Sequence, residues 1–135
     1  MESATCDSSV LVAAIAAWHP RHAVAHESVD SRVRALAGQV LIETYSVLTR
    51  VPTPQRLPSG TAAEAITRLR ERVIGMRASD YPELMSLLAV AGVTGGAVYD
   101  AVVGFTAKRH DLPLLTLDAR AAPTYDAVGV RYQFL

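Results

Sequence analysis

The chain has 135 residues, half of them hydrophobic, enough for one domain with a single sizeable core and too apolar for a disordered chain. Thirteen acidic residues balance twelve Arg and one Lys, so there is no bulk positive field; any nucleic-acid partner must be held by a local patch or a metal. The lone Cys6 excludes an internal disulfide framework and reads as a small buried residue. Glu2 with no early Lys or Arg is not a secretory start. The apolar run 10–18 is too short to span a bilayer, so the expectation is a cytoplasmic protein with no membrane association.

In chain order, residues 2–6 read as a short strand ending at Asp7. Ser8 and Ser9 open a helix over 10–17, stopped at His19-Pro20. A second short helix is expected over 22–28, and R-V-R-A-L-A (32–37) alternates like a strand. A helix over 39–50 ends at V-P-T-P, residues 55–60 form a loop, and a helix follows over 61–73. V-I-G-M-R-A (73–78) is a strand candidate. Asp80 is expected to cap a helix that carries Pro82 in its first turn and ends near Gly92. Another helix starts after Gly95-Gly96 and runs to His110. Residues 113–117 read as a strand ending at Asp118, then come a short helix and a closing strand, V-R-Y-Q-F-L. Alternating β and α elements with apolar strands predict a three-layer α/β/α domain with a central, mostly parallel sheet. No internal repeat or linker interrupts residues 1–135, which are read as one domain.

In such sheets ligands bind beyond the carboxyl ends of the strands. Asp7 and Asp118 stand at two such ends, where each can also simply cap the helix that follows. Glu43 and Asp100 lie on largely apolar helices. Asp100 has Gly96, Ala97, Val103 and Gly104 as its helical neighbours, and no Arg or Lys within one turn. A carboxylate facing such a surface costs several kcal/mol or shifts its pKa upward unless a cation meets it. Either acid can instead face solvent, the common place for a helix Glu. If the four converge at one sheet edge, an all-oxygen cluster selects a hard cation, Mg²⁺ or Mn²⁺, over zinc.

Other motifs carry less. His22 and His26 are four apart but lack the glutamate of a zinc-protease motif, and read as a solvated helix face. T-G-G-A is followed by no G-K-[ST], so it is no P-loop. Ser8 and Ser9 fit capping better than a nucleophilic role, since no Ser-His-Asp pattern surrounds them.

The segments D-S-S-V-L-V-A-A-I, I-E-T-Y-S-V-L-T-R-V-P, Y-D-A-V-V-G-F-T-A and L-L-T-L-D, in this order along essentially the whole chain, resemble the PIN-domain ribonucleases. Within them the chain is similar to the VapC toxins of bacterial type II toxin–antitoxin systems. The resemblance implies a metal-dependent endoribonuclease acting on structured RNA such as tRNA or ribosomal RNA. It also implies a cognate VapB-like antitoxin, and homodimerisation is expected. By motif, Asp7, Glu43, Asp100 and Asp118 take the four acidic positions, with Ser9 and Thr116 at supporting hydroxyl positions. Asp7 and Asp100 would be direct metal ligands. Glu43 and Asp118 would act directly, through water or at a second ion. Hydrolysis would leave a 5′-phosphate and a 3′-hydroxyl. The first strand, S-A-T-C, is more polar than usual for the family, and Tyr99 stands where some relatives have His; no acidic position is lost.

Arg50, Lys108, Arg109 and Arg120 are candidates for RNA backbone contact or plain solvated charges. Two other functions compete. An aspartyl phosphatase would need a second acid where D-S-S has none, and a suitable lysine where Lys108 is the only one. A non-catalytic PIN-like protein-binding module would not need intact acids at all four positions.

Overall fold

Five short strands pair in parallel, and seven helices cover the sheet they form, in a computed structural model that describes residues 2–135. The strands are β1 (Thr5–Cys6), β2 (Ala35–Ala37), β3 (Arg72–Ile74), β4 (Leu114–Thr116) and β5 (Tyr132–Phe134). The helices are α1 (Ser8–Ile15), α2 (His22–Arg32), α3 (Gly38–Arg50), α4 (Ser59–Thr67), α5 (Tyr81–Ala91), α6 (Ala97–Arg109) and α7 (Ala122–Val128). β1, β4 and β5 form one three-stranded unit, and β2 with β3 a two-stranded one. A single parallel bridge, Ala4 to Val33, joins the two units, its bonds running Ala4 N–H to Arg32 C=O and Arg34 N–H to Ala4 C=O. The spatial order is therefore β3-β2-β1-β4-β5, and the order reverses between β1 and β4. This is the three-layer α/β/α arrangement that the alternating pattern predicts.

The central strands are buried on both faces, as parallel strands under helices must be. Ala4, Cys6, Leu114 and Leu115 have no exposed surface, and they join Val10, Leu11, Val40 and Tyr125 in one core. The polar first strand thus enters the interior through its small residues. Gly92 ends α5 at φ +69°, a left-handed cap that favours glycine.

Several boundaries differ from the sequence reading. α2 continues to Arg32 because Ala25, Ser28 and Val29 keep a helical spacing of buried residues, which trims the expected strand over 32–37 to Ala35–Ala37. α4 stops at Thr67 instead of running to 73, since the chain must turn at 68–71 for Arg72–Ile74 to pair with Ala35–Ala37. β3 is an edge strand whose Arg72 and Val73 are exposed, and it ends before Gly75. Asp80 stands at the N-cap position of α5, as expected, but its side chain makes no capping bond to that helix. It is buried, accepts the Arg77 N–H at 2.8 Å and so closes a one-turn 3₁₀ helix ahead of α5, with the Arg109 guanidinium 3.4 Å away. No described helix is long and apolar enough to cross a membrane.

Candidate active site

Asp7 leaves β1 at its carboxyl end and caps α1, and Asp118 follows β4 and caps a 3₁₀ turn through the Arg120 N–H at 3.0 Å. Both aspartates are helix caps, and both stand where the strand order reverses, the position at which open parallel sheets leave a crevice. The capping reading and the site reading of these residues are compatible.

Asp7 is 5% exposed and completely engaged. Its Oδ1 accepts the Ser9 hydroxyl at 2.5 Å and the Val10 N–H at 3.4 Å. Its Oδ2 accepts the Thr116 hydroxyl at 2.5 Å and the Tyr125 hydroxyl at 2.7 Å. The Ser and Thr hydroxyls are themselves aimed: Ser9 Oγ accepts the Leu117 N–H at 2.9 Å, and Thr116 Oγ1 accepts the Asp118 N–H at 3.0 Å. With a backbone N–H on its lone pair, each hydroxyl is left to donate to Asp7. Four donors and no competing acceptor fix one carboxylate in one orientation.

Glu43 and Asp100 are in the opposite condition. Glu43 lies half-buried on α3, one turn after Gln39, and Asp100 half-buried in the first turn of α6; α3 packs on α6. Burial pushes the Glu43 carboxyl above its ordinary range, the Gln39 amide partly offsets this, and repulsion from Asp100 and Asp7 adds to it. Burial also raises Asp100, reinforced by repulsion from Asp118 and Asp7 and opposed by Arg120. The Tyr125 hydroxyl is pushed far up by burial and by the charge of Asp7, with its hydrogen bond to Asp7 and the charges of Asp100 and Glu43 contributing, so it stays a proton donor. The four acids thus feel one another across one cleft edge, and the two on helices lack a positive partner sufficient to offset burial.

Two clefts meet at this point. One, about 500 Å³, is lined by Ser8, Gln39, Glu43, Arg50, Tyr99 and Asp100. The other, about 370 Å³, is lined by Ser8, Ser9, His19, Arg21, Asp118 and Arg120. They share Ser8 and Val47.

The family model for the PIN domain matches residues 4–126. Ribonuclease VapC40 of Mycobacterium tuberculosis strain H37Rv is 42% identical over 130 residues, 96% of either chain. The chain belongs to the VapC group of PIN domains. The solved structure of Mycobacterium tuberculosis VapC20, described as a sarcin-ricin-loop-cleaving toxin, superposes with a TM-score of 0.71 at 20% identity, covering 95% of this chain and 96% of that one. A Rickettsia felis VapBC2 complex bound to promoter DNA gives a TM-score of 0.65 at 17% identity, covering 99% and 98%. At these identities the two structures speak for the PIN fold alone.

This PIN domain brings together all six residues singled out in the sequence: Asp7, Glu43, Asp100 and Asp118 at the cleft edge, Ser9 and Thr116 holding Asp7. It separates the four basic candidates. Arg50 and Arg120 line the two clefts. Lys108 donates to the Val128 carbonyl at 3.1 Å; Arg109 pairs with Glu83 and Asp80 and lies 5.1 Å over the Phe105 ring. Those two cations line a different pocket with Glu83 and Phe105 and serve the fold. His22 bonds the Ala13 carbonyl at 2.8 Å and its ring lies 5.5 Å from that of His26, a strap between α1 and α2.

The sequence reading does not single out Tyr125 or the pair His19 and Arg21. Nothing in T-Y-D marks Tyr125, because its partner is 118 residues away. The segment W-H-P-R does carry a signal, an aromatic and two cationic-type side chains around a helix-ending proline.

The donor set is all oxygen and suits Mg²⁺ or Mn²⁺. Among the described residues no three His, Cys, Asp or Glu side chains are disposed to hold an ion by themselves. Mg²⁺ ordinarily takes only one or two carboxylates and completes its shell with water and substrate phosphate, so the site fits that ion in this mode.

Proposed function

We propose that the protein is an endoribonuclease toxin that hydrolyses RNA phosphodiester bonds with Mg²⁺ or Mn²⁺, and that a VapB-like antitoxin restrains it. The observation that carries this reading is the pairing of one locked carboxylate, Asp7, with two carboxylates, Glu43 and Asp100, whose raised pKa values mark missing positive charge at the same cleft edge. The ribonuclease name of the VapC40 relative supports the reaction class. The complex of VapBC2, a relative in fold, supports an antitoxin partner.

The divalent ion, when bound, lowers the pKa of a water molecule and neutralises phosphate charge. The chain does the rest. Ser9, Thr116 and Tyr125 fix the orientation of the Asp7 carboxylate, which would hold the ion. Asp100 on α6 and Glu43 on α3 would help to hold the ion, which would relieve their repulsion. Asp118 is fixed by the Arg120 N–H, on the side where the second cleft opens. tRNA or ribosomal RNA is the proposed substrate class.

The test uses purified protein on tRNA and ribosomal RNA with Mg²⁺, with Mn²⁺ and with chelator, mapping new 5′ ends. Cleavage is expected with either ion and absent in chelator and in Asp7→Ala. Cutting that persists in both of those controls would remove the claim. Growth arrest in a test bacterium without new RNA ends, equally strong in Asp7→Ala, would favour a protein-binding module instead.

A further inference from the structure

The connection from α1 to α2 is short and braced by hydrogen bonds. His19 N–H bonds the Ala16 carbonyl and His22 N–H the His19 carbonyl, both at 3.0 Å. The Arg21 N–H donates to His19 Nδ1, also at 3.0 Å. While Nδ1 accepts this bond, the ring proton sits on Nε2, which leaves that N–H free to donate. This turn presents three side chains. His19 and Arg21 line the 370 Å³ cleft beside Asp118 and Arg120. Trp18, 45% exposed, sets its ring 5.7 Å from that of His19.

The charge in this cleft is available. Arg21 has no carboxylate partner among the described residues. Arg120 only grazes Asp118 at 3.5 Å, with its side chain 94% exposed. An exposed pair of that kind contributes little and yields readily to a phosphate. The cleft adjoins the carboxylates, and across Ser8 and Val47 it continues into the cleft of Arg50 and Tyr99. A strand crossing the carboxylates from one cleft to the other would leave the nucleotide next to the reacting phosphate against this turn. Its volume lies within the range of pockets that hold small ligands.

We propose that Trp18, His19, Arg21 and Arg120 form a subsite for one unpaired nucleotide next to the scissile bond, with Arg21, Arg120 and His19 Nε2 on its phosphate and Trp18 stacked on its base. This rests on the ribonuclease reading and narrows its substrate to RNA that is single-stranded or looped out at the cut. A paired base keeps its neighbours on both faces and offers no face to an indole.

Trp18 is the only tryptophan of the chain, so its fluorescence reports the subsite directly. The probe is a mixed-sequence octanucleotide with 2′-O-methyl riboses, titrated in Mg²⁺ into wild type, Arg21→Ala/Arg120→Ala and Trp18→Ala. The expected result is quenching of wild-type Trp18 by the single strand and not by the same sequence as a duplex. The double variant should bind at least about tenfold more weakly, with the slope of log K against log salt reduced by roughly 0.7 for each phosphate that the arginines no longer neutralise. Removing the stacking partner of one base in Trp18→Ala should cost about fivefold or more, read by anisotropy of a labelled strand.

The substituted side chains are exposed, and circular dichroism checks that each variant is folded. Wild type that cleaves RNA while Trp18 stays silent and the variants bind normally would overturn the subsite and leave the ribonuclease reading intact. Quenching by the single strand without cleavage of any RNA would support the subsite and overturn the nuclease. Equal quenching by duplex and single strand would overturn the claim of an unpaired nucleotide.

Discussion

Asp7 and Asp100 are both aspartates at the start of a helix, near one another at one edge of the sheet, and the fold treats them oppositely. Asp7 is enclosed and meets four donors. Asp100 is half-buried and raised in pKa, with burial and two neighbouring acids outweighing Arg120. Glu43 shares the second condition. The difference teaches how a site can be prepared for a cation without being unstable. One carboxylate is satisfied by the protein and supplies a fixed reference point. The others are left short of positive charge, which the proposed ion would provide.

Substitution at Asp7 is the strongest way to break this comparison. Asp7→Ala should lower RNA cleavage by orders of magnitude, since it would remove the primary cation ligand proposed above. Asp7→Asn sets an amide N–H₂ against hydroxyls and an N–H that themselves donate, and should cost roughly 2–4 kcal/mol, read as a lower urea midpoint. A midpoint equal to wild type would mean that the four hydrogen bonds do not hold the site.

Tyr125→Phe sharpens it. Without the hydroxyl, Asp7 Oδ2 keeps Thr116 alone, so activity should fall about 10- to 100-fold and Mn²⁺ should bind more weakly by calorimetry. Stability should fall by about 1–2 kcal/mol. Unchanged cleavage would place Tyr125 in the core and not in the site.

Asp100→Asn tests the other half. Cleavage should be lost, yet the metal-free protein should be as stable as wild type or slightly more so, by at most a few tenths of a kcal/mol after solvent screening. A large drop in the urea midpoint would make Asp100 a structural acid.

The smallest effect is in pH. Glu43 and Asp100 have folded pKa values above their unfolded ones, so the folded state binds more protons and is favoured below that window. Their contribution to stability declines as pH rises from the ordinary carboxylate range through the raised values. As pH rises from the ordinary carboxylate range of about 4, metal-free wild type should lose more stability than Asp100→Asn does, and saturating Mg²⁺ should shrink the gap. An identical pH profile in the two proteins would contradict the charge deficit.

The architecture and the acids are legible in the sequence because both are written locally. Strand ends carry aspartate, helices carry their apolar stripes, and Asp100 stands out because nothing cationic lies within a turn. Element ends are read less well. The lengths of α4 and β3 depend on pairing Arg72–Ile74 with Ala35–Ala37, and Asp80 is drawn from α5 to Arg77 by a turn the sequence does not announce. Tyr125 is invisible for the same reason at longer range. Lys108 and Arg109 look like free charges in the sequence, but tertiary packing partners them.

The hydrogen bonds on Asp7 also set a schedule. Thr116 is 109 residues downstream of Asp7 and Tyr125 is 118. During synthesis Asp7 and Glu43 emerge early, but the grip on Asp7 cannot close until the segment through Tyr125 has cleared the ribosome and docked. Closure of so long a loop comes late in folding. A nascent chain that has not yet emerged through Tyr125 therefore lacks this grip on Asp7, and chains halted before Tyr125 should leave RNA uncut. For the ribonuclease proposed above, the site would thus stay unassembled while Tyr125 is still inside the machine that makes it.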